Sequence, residues 1–311
     1  MKKIKKILIT STTFAKTTKD AIKKLEDNDF EIQWEKGPFT DLELSKLVKD
    51  FDVIIIGNDI VGEECLNKGE KLKIIVKHGV GIDNINKELA NKKGIKIINA
   101  PHTNAITVAE FVFASLLTLI RKTCKASQSL LEGKWEGSKF IGEELYGKTM
   151  GIIGIGHIGQ HVAHISIGFG MKVFYYDVIK NEDIETKFGI YYLNFENLIK
   201  ISDFITIHIP QSKNTINMIN KKEIDLMKPS AYLINMSRGL IVNEEALYEA
   251  LKNKRIKGAI LDVFSKEPVD KNWKMLKLDN ILCTPHCAGY TLEALNRTSN
   301  AVVNEIIKLN I

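Results

Sequence analysis

Short apolar runs separated by amphipathic stretches set the rhythm of this chain. Residues 4–9, 31–34, 53–56, 72–76 and 95–98 are strand-length and mostly apolar, and patterns with helical spacing lie between them. Runs buried on both faces need cover on both faces, so the alternation predicts a parallel sheet between two helical layers over the first third of the chain. Residues 107–122 are apolar on nearly every side, which predicts a helix buried between domains or at a subunit contact, capped by Asn104 or Thr107. Residues 132–148, rich in Gly, Lys and aromatic side chains, read as a connecting loop.

The alternation resumes further on, with strands expected at 204–209, 232–235, 258–263 and 280–283. Helices are expected at 193–200, 221–227 and 243–253, the last capped by Asn243. The closing helix, 292–309, has no strand after it to lead into, and is expected to pack back on the first domain. The fold class is α/β, with two doubly wound parallel-sheet domains.

Between the halves lies KTMGIIGIGHIGQHVAHISIGFGMKVFYYD, residues 148–177. It is a complete strand, turn, helix and strand, with Gly154, Gly156 and Gly159 in G-x-G-x-x-G spacing. Gly154 allows a tight turn, Gly156 lets the backbone approach a pyrophosphate, and Gly159 lets the helix pack on its strand. The helix N-terminus offers N–H groups and a positive dipole end to that pyrophosphate. Asp177, at the end of the second strand, is placed to accept hydrogen bonds from the adenosine ribose and to repel a 2′-phosphate. NAD is therefore the expected cofactor.

Composition changes this picture little. A chain of 311 residues exceeds one ordinary core and predicts about two domains. Basic residues outnumber acidic ones, 44 to 38, but are scattered rather than gathered in a stripe with aromatics, which argues against nucleic acid. The start, MKKIKKILIT, has too short an apolar run for a signal peptide, and residues 111–120 stop at Arg121, short of a membrane span. Four cysteines with no CxxC pair fit reduced thiols, and the cytoplasm is the expected compartment. Cys283, His286 and Cys287 crowd together, but no second ligand pair stands at zinc-like spacing, so no metal is expected. No internal repeat or low-complexity segment interrupts the chain.

In open α/β sheets ligands sit beyond the carboxyl ends of the strands. Three polar residues follow strands there: Arg238 in NMSRG, Glu267 in DVFSKEP and His286 in CTPHCAG. They are a cation able to clamp a carboxylate, a carboxylate, and an imidazole. That set suits hydride transfer at a carbon bearing a hydroxyl, with the imidazole exchanging the hydroxyl proton and the carboxylate fixing its tautomer.

GIIGIGHIG, NMSRG, LDVFSKEP and TPHCAG, with KHGVGIDNI and NAPHTNAITVAE upstream, resemble the D-isomer-specific 2-hydroxyacid dehydrogenases. The match covers nearly the whole chain and is nearest the phosphoglycerate dehydrogenase branch, even in the loop EGKWEGSKFIGEELYGKTMGIIG. The resemblance implies Arg238, Glu267 and His286 as the catalytic set. It implies substrate binding by Lys77, by the backbone at Val80 and Gly81, by Asn104 and by Arg238. It places His157 and Ile158 at the pyrophosphate, Met236 and Ser237 beside the nicotinamide, and Asp262 facing the carboxamide. Ile209, Pro210, His286, Ala288 and Gly289 complete the implied NAD contacts.

The layout implied is a split, flavodoxin-like substrate domain, 1–103 and 290–311, around a Rossmann NAD-binding domain, 104–289, with catalysis in the cleft between them. A homodimer, a small 2-hydroxy or 2-oxo acid partner, no membrane, and a place in serine biosynthesis are also implied. The leading substrate pair is 3-phosphoglycerate and 3-phosphooxypyruvate. Two departures stand out. Where that branch carries an arginine suited to phosphate, this chain has Gly57, Asn58 and Asp59, and Asp59 would oppose the anion if it points inward. Lys77, His78, or Lys134 or Lys139 across a dimer, are the candidate replacements. The chain also ends at Ile311 without the serine-binding domain of many relatives, so feedback by that route is not expected. The alternatives are a reductase of an unphosphorylated 2-oxo acid such as hydroxypyruvate, glyoxylate or pyruvate, and an NAD-sensing protein like the family's transcriptional corepressors. Formate-type relatives are disfavoured, because they place glutamine where Glu267 stands.

Overall fold

The computed structural model describes residues 5–17 and 19–309. Ile4, the expected start of the first strand, and the ends of the split domain at 1–4 and 310–311 lie outside the described residues. The chain divides into two compact units, Met1–Asn104 with Tyr290–Ile311, and Ala105–Gly289.

The first unit runs β1 (Lys5–Ile9), α1 (Asp20–Glu26), β2 (Phe30–Trp34), α2 (Asp41–Ser45), β3 (Val53–Ile56), α3 (Glu63–Lys68), β4 (Ile74–Lys77), α4 (Lys87–Lys92) and β5 (Lys96–Ile98). Its strands are all parallel, in the order β2-β1-β3-β4-β5. Alternate residues of a strand face opposite sides, and both sides are apolar here. Ile7, Ile9, Val53, Ile55 and Val76 form one core, Leu8, Ile54, Ile56 and Ile75 the other. The first core is closed by Val302, Val303 and Ile306 of the final helix, numbered α12 (Leu292–Lys308), so the helix without a following strand does return to this sheet.

The second unit opens with α5 (Ala105–Arg121), α6 (Thr123–Leu131), β6 (Thr149–Ile153), α7 (His157–Gly168), β7 (Lys172–Tyr176), α8 (Glu182–Phe188) and β8 (Tyr191–Tyr192). It continues with α9 (Phe195–Ile201), β9 (Phe204–Ile207), α10 (Lys221–Leu226), β10 (Tyr232–Asn235), α11 (Glu244–Lys252), β11 (Gly258–Leu261) and β12 (Ile281–Cys283). Seven parallel strands lie in the order β12-β11-β10-β9-β6-β7-β8. The order reverses between β6 and β9, which is where such sheets open a crevice for a ligand. The all-round apolar helix is α5, and Val108, Ala109, Val112, Phe113 and Leu116 bury it against Met150, Ile152, Val162 and Ala163 within this unit. A truncation such as Val112→Ala there removes buried methyls and costs about 1–3 kcal/mol.

Three details depart from the sequence pattern. Thr107 lies inside the first turn of α5 rather than capping it. Lys122 adopts a left-handed conformation, φ 55°, which ends α5 and starts α6 in a direction no apolar spacing marks. The edge strand β8 is two residues long and carries too little pattern to read. No helix among the described residues is long and apolar enough to cross a membrane.

Candidate active site

Strands β10, β11 and β12 are neighbours in register, Asn235 beside Leu261 and Leu261 beside Cys283, so the loops that follow them leave the sheet side by side. In the first, Asn235 is fully buried. Its Nδ2 donates to the Arg238 carbonyl at 2.9 Å, and its Oδ1 accepts from Ser237 N–H at 3.1 Å and Ser237 Oγ at 3.0 Å. Arg238 Nη1 donates to the Ser237 carbonyl at 2.7 Å. Gly239 follows because a Cβ there would run into the Phe264 carbonyl and the Ser265 nitrogen. This close approach, open only to glycine, lays the Arg238 turn against the loop that carries Glu267.

Glu267 Oε1 accepts from Phe264 N–H at 2.9 Å, and Oε2 pairs with His286 Nδ1 at 2.7 Å. Burial works to raise this carboxyl, but the His286 bond and charge, the Phe264 N–H and the Arg238 charge outweigh it and hold Glu267 below the usual carboxylate range. An ionised carboxylate only accepts, so Nδ1 carries the proton toward Glu267 and Nε2 is left for a reacting oxygen. The pair is reachable, with side-chain exposures of 40% for His286 and 33% for Glu267.

The residues expected at the cofactor follow the carboxyl ends of β6, β7, β9, β10 and β12. Gly154 has φ 95°, donates its N–H to Tyr176 O at 2.8 Å, and would meet the His208 carbonyl at 2.7 Å if it bore a Cβ. Gly159 likewise has no room for one against Gly154 O, whereas Gly156 faces open space. Asp177, at the end of β7, accepts from Ile155 N–H at 2.9 Å and Val178 N–H at 2.7 Å, tying the glycine turn to its second strand. His157 and Ile158 begin α7, Ile209 and Pro210 follow β9, and Met236 and Ser237 follow β10. Ala288 and Gly289 follow His286. Two glycines locked by close contact and one open toward solvent fit a pyrophosphate laid across the turn. Asp262 is buried, with both oxygens bonded to the His286 loop. Asn235 and Asp262 thus anchor these loops; the sequence marked Asn235 only as a polar residue closing a buried strand and Asp262 only through its motif, while the glycine after Arg238 marked its close contact.

In the first unit, Lys77 ends β4 nearly buried, and its ammonium donates to the Gly57 carbonyl at 2.5 Å. Asn99 Nδ2 holds the Val80 carbonyl at 2.6 Å, and Ala100 N–H the Gly79 carbonyl at 2.9 Å, which fixes the loop through Val80 and Gly81. Asn104 directly precedes α5. Asp59 does not oppose an anion here: it is fully buried and accepts from Thr10 Oγ1, Phe39 N–H and Gly57 N–H at 2.8, 2.8 and 2.9 Å. His78 lies within bonding distance of Ser11, Thr13 and Ser299, and burial pushes it down to about 4, so it is no cation for a phosphate. Lys134 and Lys139 are paired with Glu132 and Glu136. Among the described residues no group of three His, Cys, Asp or Glu is placed to hold a metal ion.

Comparison with known proteins identifies the family. Residues 113–288 match the family model "D-isomer specific 2-hydroxyacid dehydrogenase, NAD binding domain". The D-3-phosphoglycerate dehydrogenase of Methanocaldococcus jannaschii is 40% identical over 98% of this chain, which spans 57% of that protein's length. The glyoxylate reductase of Korarchaeum cryptofilum is 36% identical over 92% of this chain and 88% of its own. Among solved structures, the Aquifex aeolicus D-lactate dehydrogenase complexed with NAD and lactic acid superposes with a TM-score of 0.86 at 32% identity, covering 98% of this chain and 95% of that one. The chain therefore belongs to the D-isomer-specific 2-hydroxyacid dehydrogenases and carries their NAD-binding domain in its second unit.

Proposed function

We propose that this chain is an NAD-dependent oxidoreductase that interconverts a D-2-hydroxy acid and its 2-oxo acid, with Arg238, Glu267 and His286 as the catalytic set. The observation that carries this is the 2.7 Å contact of His286 Nδ1 with Glu267 beside Arg238. Arg238 clamps the substrate carboxylate and polarises the carbonyl. His286 Nε2 delivers a proton to the oxygen during reduction and takes it back during oxidation, and ionised Glu267 stabilises the charged ring. Bound NAD supplies the carbon that accepts or donates the hydride. In this reading residues 1–103 and 290–311 bind the substrate, and 104–289 bind NAD. Lys77, Asn104 and the backbone at Val80 and Gly81 meet the acid, and the glycine turn, His157, Ile158, Asp177, Ile209, Pro210, Met236, Ser237, Ala288 and Gly289 meet the cofactor. A cytoplasmic homodimer, joined through exposed Leu131, Trp135, Ile141 and Tyr146, belongs to the same proposal.

Overall similarity favours 3-phosphoglycerate and 3-phosphooxypyruvate, as in serine biosynthesis. One observation favours a second reading, an unphosphorylated acid: the end of β3 offers Gly57, Asn58 and a sealed Asp59, and the ammonium of Lys77 is bonded to Gly57 O. A phosphate dianion is best held by a forked guanidinium or several donors. Specificity constants for phosphooxypyruvate against hydroxypyruvate, in wild type and Lys77→Ala, decide between them. Preference for hydroxypyruvate, with a ratio unmoved by Lys77→Ala, would remove the phosphorylated substrate and leave the general activity standing.

A further inference from the structure

The chain leaves β10 through Arg238 and enters α11 at Glu244, while the loop after β11 carries Ser265 and Glu267. Glu244 is the first residue of α11, and both of its carboxylate oxygens bond one residue of that loop. Its Oε1 accepts from Ser265 N–H at 2.6 Å and its Oε2 from Ser265 Oγ at 2.8 Å. One residue back, Phe264 N–H donates to Glu267 Oε1 at 2.9 Å, so the turn that presents Glu267 closes on itself right beside the Glu244 bonds. A second contact joins the same two segments, because a Cβ on Gly239 would strike the Phe264 carbonyl and the Ser265 nitrogen. Phe264 also meets Trp273 edge to face, with ring centres 5.5 Å apart. The Cys283 thiol faces Glu244; burial, with the charge of Glu244 adding to it, pushes that thiol up to about 12, so it stays neutral. Glu267 in turn faces His286 and Arg238. Nothing in the proton exchange itself uses Glu244.

We propose that Glu244 is a positioning residue for Glu267: it pins the backbone and hydroxyl of Ser265 to the start of α11, so that the turn 264–267 holds its carboxylate on His286 Nδ1. This rests on the assignment of Glu267 and His286 as the proton-exchanging pair. Ser265 is exposed, so water takes over both donors when the carboxylate is removed, and the fold loses little. What is lost is placement. A turn held by fewer bonds spends time in geometries where the 2.7 Å contact of Glu267 with His286 is broken, and small misplacements of a reacting group cost rate steeply. The holding is done by the two bonds and not by the charge. Glu244→Gln keeps both, offering its carbonyl oxygen to Ser265 N–H and its NH2 to Ser265 Oγ, which accepts as well as it donates.

The test compares Glu244→Ala with Glu244→Gln, and combines Glu244→Ala with Glu267→Gln. It reads kcat for 2-oxo acid reduction against pH, the Kd of NADH, the urea midpoint, and the NMR signals of the His286 ring in the cofactor-free protein. Glu244→Ala should lower kcat by about 3- to 10-fold, make reduction fade at a lower pH by part of the change seen in Glu267→Gln, and displace the ring signals in the direction that Glu267→Gln displaces them. Its NADH Kd should stay within about twofold and its urea midpoint near that of wild type. On top of Glu267→Gln the further loss of kcat should stay below about twofold, because a positioning residue acts through the group it holds. Glu244→Gln should lie within about twofold of wild type throughout. Ser265→Ala, which removes one of the two bonds at an exposed position, guards against a folding defect in Glu244→Ala and should move the ring signals the same way by less. Ring signals that do not move, coincident pH profiles, or a loss that multiplies in full with Glu267→Gln would overturn the proposal. So would a Glu244→Gln as impaired as Glu244→Ala, which would put the effect in the charge, or an NADH Kd rising in step with the lost kcat. A wild-type chain that binds NADH but reduces no 2-oxo acid would sink the activity proposed above, and the ring signals would still decide the link from Glu244 to Glu267.

Discussion

The carboxyl ends of the two sheets differ in what they expose. Beyond β10, β11 and β12, side chains with chemistry stand at the surface, and the groups that hold them, Asn235 and Asp262, are buried beneath. Beyond β1, β3 and β4 the polarity turns inward: Thr10, Ser11, Asp59 and His78 are each less than a tenth exposed and are bonded to partners within their own unit. What the first unit leaves partly outward there includes the loop through Val80 and Gly81. A backbone loop recognises a carboxylate by geometry and cannot exchange a proton near neutral pH, whereas an imidazole paired with a carboxylate can. Under the proposed function, the difference would put the chemistry in the second unit and shape selection in the first.

Replacing His286 breaks the comparison hardest. His286→Ala should lower kcat by about two to four orders of magnitude, the usual worth of a positioned acid-base group, while NADH binding measured by fluorescence persists. Glu267→Gln keeps the shape and removes the charge. Glu267 lies below the usual carboxylate range, so it is ionised wherever the enzyme is assayed, and its charge is lost only as pH falls through that lowered value. Without it the protonated ring loses its counter-charge, and 2-oxo acid reduction should fade at a lower pH than in wild type. Coincident pH profiles would dissolve the pair.

Asp59→Ala tests the inward edge. It leaves the Thr10 hydroxyl and the Phe39 and Gly57 N–H groups without their acceptor, at a cost of about 3 kcal/mol in stability. The first unit should unfold at lower urea, with NADH affinity untouched. A protein of unchanged stability would show that these bonds are replaced by water.

A smaller effect concerns the cofactor. Asp177 is expected to favour NAD over NADP, and Asp177→Ser should lower the NAD to NADP ratio of specificity constants by about tenfold, chiefly through weaker use of NAD. Equal use of the two cofactors by wild type would remove Asp177 from its role.

The legible features share one property: each is written within a few consecutive residues. The strand runs, the glycine unit and the polar residue after each of three strands need no knowledge of what folds over them. The features missed are long-range. Thr10 and Asp59 meet across 49 positions, and Thr284 and Asp262 across 22. Whether a carboxylate at a strand end faces outward like Glu267 or inward like Asp59 depends on which distant donors arrive, and spacing does not encode that. The helix break at Lys122 is local yet silent, because left-handed backbone at a lysine has no compositional mark.

The smallest effect sharpens the comparison through pH. Burial, with the charge of Lys77 adding to it and a backbone bond at Leu295 opposing it, pushes His78 down from the ordinary 6.5 to about 4, and burial alone takes His208 to about 3. Below 6.5 the unfolded chain binds a proton at each that the folded chain refuses. Stability therefore rises with pH across that window and is lost as pH falls from about 6.5 toward the lowered values, amounting to about 1 kcal/mol per imidazole near pH 5.5. His78→Gln removes its share, so the stability gap between wild type and variant should narrow between pH 7 and pH 5.5, above the range where carboxylates protonate. Of the three tryptophans only Trp34 lies in the first unit, so urea unfolding followed by its fluorescence, with Trp135 and Trp273 changed to Phe, reads the unit in which His78 sits. A gap that stays constant over that range would mean that His78 takes up its proton in the folded chain, and the sealed edge of the first sheet would then be open to water.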